Sequence, residues 1–248
     1  MKANNPFQVH NINYLSPSSI NTYINDMPQW IMRYLFGIKS LGGASAMRGI
    51  ALEHVLSEKY QKKTSNVDEV DNRFMGLCGE AGIDLHDTRT EKERKALPNF
   101  WQVLDANFNY RKMESYQEKV EVKLDDLPVP IIGFVDFLFK DKIVDLKTTT
   151  RMPSKPTEAQ KRQMALYSLA YPKKSVHLFF ASPKEHRKFI LKSLSPYKNQ
   201  LVKVAFSIQK FLSLSSDKHE LASFVYPNTD SWMWSYKMKE EANKIWKT

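Results

Sequence analysis

The sequence predicts an α/β fold, in which a mixed central sheet is flanked by helices. Three strand-like stretches follow one another between residues 116 and 150, and one of them, IIGFVDFLF, is almost wholly apolar, as is typical of a strand buried on both faces. A helix-like stretch, TEAQKRQMALYSLAY, comes next, and two more strand-like stretches, SVHLFFAS and HRKFILKSL, follow it. Helical patterns stand before and after this region. The order helix, three strands, helix, two strands predicts the α/β class.

Length and composition favour one domain. The chain has 248 residues, of which 42% are hydrophobic and 26% charged, values ordinary for a soluble globular protein that buries a full core. No internal repeat or low-complexity linker divides it. We expect an N-terminal helical part (about 14–113), a core with the sheet (about 116–194) and a C-terminal helical part (about 196–248).

The charge balance points to an anionic partner. There are 37 Lys and Arg against 27 Asp and Glu, a net charge of +10, which favours nucleic acid first and an anionic membrane surface second. No apolar run reaches the ~20 residues that a membrane-spanning helix needs. The start, MKANNPFQVH, has neither a signal core nor a transit-peptide composition. A lone cysteine, Cys78, excludes an intrachain disulfide, so we expect a cytoplasmic protein.

Several helices are predicted before the strands. Ser16 or Ser18 is a suitable N-cap with Pro17 in the first turn, and Pro28 opens a second helix. RGIALEHVLSEKYQKK predicts a longer helix with His54 at the edge of its apolar stripe. Residues 64–97 are charged, contain three glycines and lack a clear period, so we expect irregular structure with short helices there, followed by a helix over about 99–113.

The remaining elements follow from simple patterns. YQEKVEVKL alternates apolar and charged residues and predicts a half-buried strand, while IVDLKTTT predicts the third strand of the set. An amphipathic helix is expected over residues 196–214. The tail holds three of the five tryptophans and is expected to pack as a loop and a final helix.

Three charged residues stand inside the strand region. Asp136 interrupts the apolar run, and Asp145 and Lys147 are two apart on the next strand, so they project from the same face. Buried charges must be paired or bind a metal ion. Hydrolysis of a phosphodiester needs a cation and an activated water, and oxygen-rich sites select Mg²⁺ or Mn²⁺. Asp136 and Asp145 can supply the carboxylates. Lys147 can orient or deprotonate the water, or stabilise the developing charge.

These residues resemble a known family. GFVD, eight intervening residues and DLK resemble the PD-(D/E)XK nuclease superfamily, and more narrowly its RecB-type branch, which includes phage exonucleases. That branch carries a histidine on an upstream helix after a glycine, which RGIALEH matches with His54, and a glutamine and tyrosine four apart, which QMALY matches with Gln163 and Tyr167. The resemblance covers about residues 15–171 and includes the opening SPSSINTYINDMPQWIMRY. It implies a restriction-endonuclease-like core, αβββαβ, with added terminal helices.

The resemblance also implies roles for individual residues. His54, Asp136, Asp145 and the Leu146 carbonyl are implied as ligands of Mg²⁺ or Mn²⁺, and Lys147 as the catalytic lysine. On residue pattern alone, a histidine at the edge of an apolar stripe more often packs than binds a metal. An imidazole ligand would favour Mn²⁺ more than a pure oxygen site does.

Further residues are implied around this site. Gln163 and Tyr167 are implied to touch DNA or to brace the lysine, the alternative being the polar edge of a packing helix. Thr148, Thr149 and Arg151 follow the lysine and are candidates for phosphate contacts. Glu58 and Glu121 are weaker candidates for support of the metal ligands, the alternative being solvated surface.

Many relatives in this branch bind a four-iron cluster, but this chain lacks the cysteines for it. The cluster is held through one cysteine near the first helix and three near the C-terminus. Here Met27 stands before Pro28, and the tail YPNTDSWMWSYK has no cysteine. Cys78 alone cannot hold a cluster. We therefore expect no iron–sulfur cluster and a tail held by aromatic packing.

The function predicted is that of a metal-dependent deoxyribonuclease, more specifically an exonuclease. Its expected partner is DNA with linear or single-stranded ends, with no membrane association. By analogy the setting is DNA recombination, repair or phage DNA processing in the host cytoplasm, where a single-strand-binding or recombination protein is a candidate partner. A catalytically silent DNA-binding or recombination accessory protein of the same fold is the alternative, although it has no need of all four site residues. A basic module for acidic proteins or membranes leaves the aspartate–lysine pattern unexplained.

Overall fold

The computed structural model describes residues 5–38, 42–63, 65–110, 112–230, 234 and 236–247. Its helices are α1 (Pro6–Val9), α2 (Pro17–Asn25), α3 (Met27–Tyr34), α4 (Ala44–Tyr60), α5 (Val67–Glu80), α6 (Thr88–Asn107), α7 (Glu158–Ala170), α8 (Ser195–Leu212), α9 (Lys218–Ser223) and α10 (Tyr236–Trp246). Its strands are β1 (Met113–Val122), β2 (Ile131–Phe139), β3 (Lys142–Thr148), β4 (Ser175–Ala181) and β5 (His186–Leu191). No helix among these residues is long and apolar enough to cross a membrane.

The five strands form one mixed sheet in the order β1-β2-β3-β4-β5. Neighbouring strands are antiparallel except β3 and β4, which are parallel. Parallel neighbours require a crossover connection, and α7 supplies it between β3 and β4. The predicted α/β class, with three strands, a helix and two further strands, is confirmed.

Helices cover both faces of the sheet. One core cluster joins the sheet to α2, α3, α7 and α8, and includes Ile20, Trp30, Leu166 and Ile208. The other joins it to α4, α5 and α6, and includes Leu52, Phe74 and Phe100. Residues of β2 belong to both clusters, which confirms that this apolar strand lies in the middle of the fold.

The region between α4 and β1 differs from the prediction. Irregular structure with short helices was expected over residues 64–97, but the chain forms the 14-residue α5 and the first half of the 20-residue α6, which begins at Thr88 and continues through Pro98. Asn66 and Asp87 cap the two helices by accepting hydrogen bonds from backbone N–H groups in the first turn. The prediction was wrong because the buried stripe of α5 is short and depends on packing against α4 and α6.

The C-terminal tail packs against the first helices through tryptophans. Trp234 is buried beside Met32, and its indole N–H donates to Asp26 Oδ2 at 3.1 Å. The indole N–H of Trp246 donates to the carbonyls of Ala222 and Val225. The predicted final helix is α10. Trp232 lies outside the described residues.

Candidate active site

The predicted acidic residues lie where two central strands diverge. β2 and β3 pair through only two registered positions, Phe137 with Val144 and Leu138 with Ile143. Asp136 stands immediately before that paired segment on β2, and Asp145 immediately after it on β3. Asp136 is 7% exposed and Asp145 is fully buried. The divergence therefore places two buried carboxylates at the mouth of a cleft in the sheet.

Asp145 connects β3 to α7. Its Oδ2 lies 2.7 Å from Lys147 Nζ, so the two side chains project together as the alternation predicts. Its Oδ1 accepts a hydrogen bond from Gln163 Nε2 at 3.0 Å. The same Gln163 amide donates to the Tyr167 hydroxyl at 2.9 Å, and that hydroxyl donates to the Phe134 carbonyl. Gln163 and Tyr167 therefore brace Asp145 and β2 from the helix, whereas the expected contact was with the lysine.

Asp136 is held by the backbone of the neighbouring strand. Its Oδ2 accepts from the Leu146 N–H at 2.9 Å. Val135 and Phe137, two residues apart, belong to different core clusters, although residues two apart on a regular strand share a face. The alternation of β2 is thus interrupted at Asp136, which turns the carboxylate toward β3. Such local irregularities re-aim side chains in many functional sites.

The partner strand is irregular at the same point. Gln117, on β1, stands between the residues paired with Val135 and Phe137, and its φ is +51°, in the left-handed region. For a residue other than glycine this conformation costs about 1–2 kcal/mol. From it, Gln117 Nε2 donates to Glu53 Oε1 at 2.5 Å and lies 3.4 Å from Asp136 Oδ1. The strained residue therefore bridges two carboxylates.

Glu53 joins the cluster from α4. The helix approaches the end of β3 closely at Gly49, where a Cβ atom would lie 3.2 Å from the Thr148 hydroxyl. Arg48 fixes this approach: it is buried, pairs with Glu93 of α6, and reaches the Thr148 carbonyl at 3.4 Å. Residues four apart share a helix face, so Glu53 faces the same way as Gly49.

Burial and like charge dominate the electrostatics of the cluster. Burial raises the pKa of Glu53 to about 7, and the Asp145 charge adds to the effect, while the hydrogen bond from Gln117 opposes it. Burial, followed by the charges of Asp145 and Glu53, raises the pKa of Asp136 well above its usual value. Burial alone would lower the pKa of Lys147, but the Asp145 and Asp136 charges outweigh it and raise that pKa. Lys147 is therefore a fixed cation at neutral pH.

His54 has different neighbours. Its Nε2 lies 3.8 Å from Glu58 Oε1, its ring meets Tyr116 edge-on, and its side chain is 37% exposed. Among the described residues, no hydrogen bond or ion pair joins its side chain to Asp136, Asp145 or Lys147. Glu58, one turn further along the helix, is the partner in this ion pair, and no ion pair among the described residues joins it to Lys147.

The remaining predicted residues surround the cleft at its rim or lie outside it. Thr148 packs against Arg48 and Gly49. Arg151 is exposed, and its backbone closes a turn with the Thr149 hydroxyl. Glu121 lies 3.9 and 3.6 Å from the ammonium groups of two surface lysines, Lys119 and Lys123, as solvated surface does.

Two members of the cluster, Glu53 and Gln117, were not predicted from the sequence. The signal for Glu53 was its place four residues after Gly49, the glycine that allows the close approach to β3. The next residue, His54, was predicted as the metal ligand instead. No local signal marks Gln117, because its backbone conformation is set by the contacts it makes.

The carboxylates fit a hard divalent cation. Magnesium is usually held by one or two protein carboxylates together with waters and substrate oxygens. Asp145 Oδ2 is buried and, apart from its ion pair with Lys147, accepts no hydrogen bond from a described group, so it has a coordination position to offer. Within the described residues, no three His, Cys, Asp or Glu side chains are grouped so that together they could hold a metal ion.

Comparison with known proteins places the chain in a family. A family model described as the PD-(D/E)XK nuclease superfamily matches residues 14–245. A crystal structure of a "Putative exonuclease" from Eubacterium rectale superposes with a TM-score of 0.60 at 13% identity, over 97% of this chain and 92% of that chain. A second structure, of the protein SSO0001, reaches a TM-score of only 0.33 at 11% identity, over 77% of this chain and 83% of that chain. No curated protein matches the chain. The predicted restriction-endonuclease-like core is confirmed by the family match and the first superposition.

Proposed function

Because the chain belongs to the PD-(D/E)XK nuclease superfamily, we propose that it is a divalent-metal-dependent deoxyribonuclease that removes nucleotides from DNA ends. The observation that carries the proposal is the cluster at the divergence of β2 and β3, where Asp136, Asp145 and the Lys147 ammonium meet in a buried cleft. A silent relative would have no use for two buried carboxylates and a lysine at this point.

Asp136, Asp145 and the Leu146 carbonyl would hold the cation, and we assign Glu53 rather than His54 as the further ligand. Glu53 is linked through Gln117 to Asp136, whereas His54 is directed to Glu58 and Tyr116. When bound, Mg²⁺ or Mn²⁺ neutralises phosphate charge and makes a water nucleophilic near neutral pH. A ligand set made only of oxygen atoms favours Mg²⁺ more than one with an imidazole does.

Lys147 contributes as a cation. Because its pKa is raised, it keeps its proton at neutral pH and stabilises the negative charge that develops on the phosphate. The ion pair with Asp145 and the hydrogen bond from Gln163 to Asp145 hold the Lys147 ammonium and the Asp145 carboxylate in a fixed relative position. Removal of a preorganised donor of this kind costs about 10²–10³ in rate.

The preference for DNA ends rests on the RecB-type resemblance and agrees with the description of the Eubacterium rectale protein as an exonuclease. The test compares end-labelled linear DNA with closed circular DNA of the same sequence, in Mg²⁺ or Mn²⁺ and in chelator. Linear DNA should be degraded and the closed circle spared. Equal cutting of both would reject the end requirement and leave the hydrolytic chemistry standing.

The chemistry itself is tested by Asp145→Asn and Lys147→Ala. Both should lose activity by about 10²–10³. Asp141→Asn is the matched control, because Asp141 lies in the turn between the same two strands and pairs with Lys142 on the surface. Full activity in Asp145→Asn or Lys147→Ala would reject the mechanism, and thermal melting checks that each variant is folded.

A further inference from the structure

A groove shares a wall with the candidate active site. It encloses about 590 Å³, and Gln163 and Tyr167 form part of its lining. The Gln163 amide that lines the groove also donates to Asp145. Gln163 therefore connects the groove to the buried Asp145, although Asp145 itself does not line the groove.

The groove follows a free edge of β2. β1 occupies one edge of this strand, and on the other edge β3 pairs only with Phe137 and Leu138. At the start of the strand, Leu15 pairs with Ile131. Between these two pairings the second edge meets no strand among the described residues, and the Phe134 carbonyl accepts from the Tyr167 hydroxyl instead. The cleft is thus built into the sheet.

Two exposed aromatic residues line this groove. Tyr14 is 53% exposed, and Phe134 is 50% exposed although it lies in a strand that is otherwise largely buried. Leu15 and Ile131, which pair, are both buried in the same cluster, so Tyr14 and Phe134, at alternating positions beside them, project from the opposite face. Exposed aromatic faces beside a site for nucleic-acid chemistry are suited to stacking on bases.

The polar lining suits a phosphodiester chain. Arg33 is the one charged residue in the described lining, and it is exposed with no carboxylate partner among the described residues. Asn11 and Asn13 add exposed amide groups. A single cation among neutral donors and acceptors, with no carboxylate in the lining, attracts a phosphate without repelling the bases.

We propose that the groove binds the terminal nucleotides of a single DNA strand, with bases stacked on Phe134 and Tyr14 and a phosphate held by Arg33. The proposal rests on the nuclease function above and specifies its substrate as a single-stranded end. Cavities of about 300–1,000 Å³ hold a small organic molecule, which is the scale of one or two nucleotides and well below that of a duplex.

Binding is measured in chelator, so that no cleavage occurs, by fluorescence anisotropy of a labelled single strand and of a blunt duplex of equal length. The wild type should prefer the single strand. Phe134→Ala and Tyr14→Ala should each weaken single-strand binding by about 5- to 150-fold, the equivalent of 1–3 kcal/mol per stacked base, and Phe134→Trp should restore it. Phe224→Ala is the matched control, because Phe224 is 54% exposed and does not line the groove.

A strand whose terminal nucleotides are abasic separates stacking from charge. The wild type should bind it at least as weakly as Phe134→Ala binds the intact strand, because both stacked bases are missing, and Phe134→Ala should lose little further affinity for it. Arg33→Gln should instead reduce the salt dependence of log K by about 0.7, the value for one phosphate contact on a single strand. Equal affinity for duplex and single strand, or an unchanged affinity in Phe134→Ala, would overturn the proposal.

The binding result is independent of the nuclease assignment. If Asp145→Asn still cleaves DNA while Phe134→Ala loses single-strand binding, the proposed mechanism is wrong, whereas the proposed binding of a single strand in the groove is supported. If Asp145→Asn is inactive while Phe134→Ala binds single strands normally, the proposed binding in the groove is wrong, whereas the proposed mechanism is supported. Thermal melting and rescue by Phe134→Trp exclude misfolding as the cause of lost binding.

Discussion

The Gln117 amide donates to the Glu53 carboxylate from a strand position whose φ is +51°. The contact joins β1 to α4 across the site, and the same amide nitrogen lies 3.4 Å from Asp136. Strained conformations of this kind persist where the surrounding structure fixes them, and they concentrate at functional sites. The strain at Gln117 is thus associated with the position of Glu53.

Replacement of Gln117 separates the strain from the contact. Gln117→Gly and Gln117→Ala both remove the amide, so both should lower DNA cleavage by about 10–100-fold, as loss of a group that orients metal ligands does. Only glycine accepts the left-handed conformation freely, so the alanine variant should be less stable than the glycine variant by about 1 kcal/mol. Urea denaturation measures the difference. Full activity in both variants would show that Gln117 has no positioning role.

Glu53 makes the metal-free protein sensitive to pH. Its folded pKa is raised to about 7, so the folded state holds a proton that the unfolded chain has released at lower pH. The stability associated with this proton is present in acid and is lost as the pH rises toward 7. Glu53→Gln should therefore stabilise the metal-free protein by about 1–3 kcal/mol at pH 8 and much less at pH 5.

The measurement is denaturant unfolding in chelator at the two pH values. Glu58→Gln is the control on the same helix, because the Glu58 side chain pairs with His54, whereas that of Glu53 accepts from Gln117. Part of the pH dependence of stability should remain in Glu53→Gln, since the pKa of Asp136 is also raised. Identical pH dependence in the wild type and Glu53→Gln would contradict the electrostatic assignment.

Metal binding should distinguish Glu53 from His54. Cations bind to deprotonated ligands, so Mg²⁺ binding near pH 6.5 should release protons, and calorimetry in two buffers of different ionisation enthalpy counts them. Glu53→Gln should reduce both the affinity and the proton release, whereas His54→Ala should leave both close to those of the wild type. The reverse outcome would return the ligand role to His54.

Gly133 sets the distance between β2 and α7. A Cβ atom there would lie 2.9 Å from Leu166 Cδ2 and 2.9 Å from Tyr167 Cε1. Gly133→Ala should push the helix outward, which costs about 1–3 kcal/mol and moves Gln163 away from Asp145. Activity should fall even under conditions where the variant is fully folded.

Gly76→Ala is the matched control for this effect. Gly76 lies in α5, and a Cβ atom there has nothing within 4 Å. The substitution should stabilise the protein by about 0.5–1 kcal/mol through helix propensity and leave cleavage unchanged. A harmless Gly133→Ala would mean that the α7 side of the site tolerates displacement.

The parts of the fold that were predicted correctly have local patterns. The run IIGFVDFLF forms β2 over its whole predicted length, because burial alone determines where an almost wholly apolar strand lies. Asp145 and Lys147 were correctly expected to project together, because strand alternation fixes the relation between residues two apart. The helix that carries Gln163 and Tyr167 begins at a Thr157 capping box, which is also a local feature.

The parts that were missed depend on contacts between distant segments. Helix α5 contains few apolar residues and is stabilised by packing against its neighbours. Its sequence therefore shows little helical periodicity. Whether Glu53 or His54 faces β3 depends on the rotation of α4, which Gly49 and Arg48 fix through Thr148 and Glu93. Gln117 adopts a conformation that β-strand propensity disfavours, because its side chain is held between two other elements.

The pairing of Leu15 with Ile131 has a consequence for the order of folding. Segments more than a hundred residues apart must meet before the N-terminal wall of the groove exists, and contacts of such sequence separation form slowly. Helix α7, which braces Asp145, is synthesised later still. A nascent chain that ends before Gln163 lacks the helix that braces Asp145, so the candidate site is complete only when synthesis is well past the sheet's first three strands.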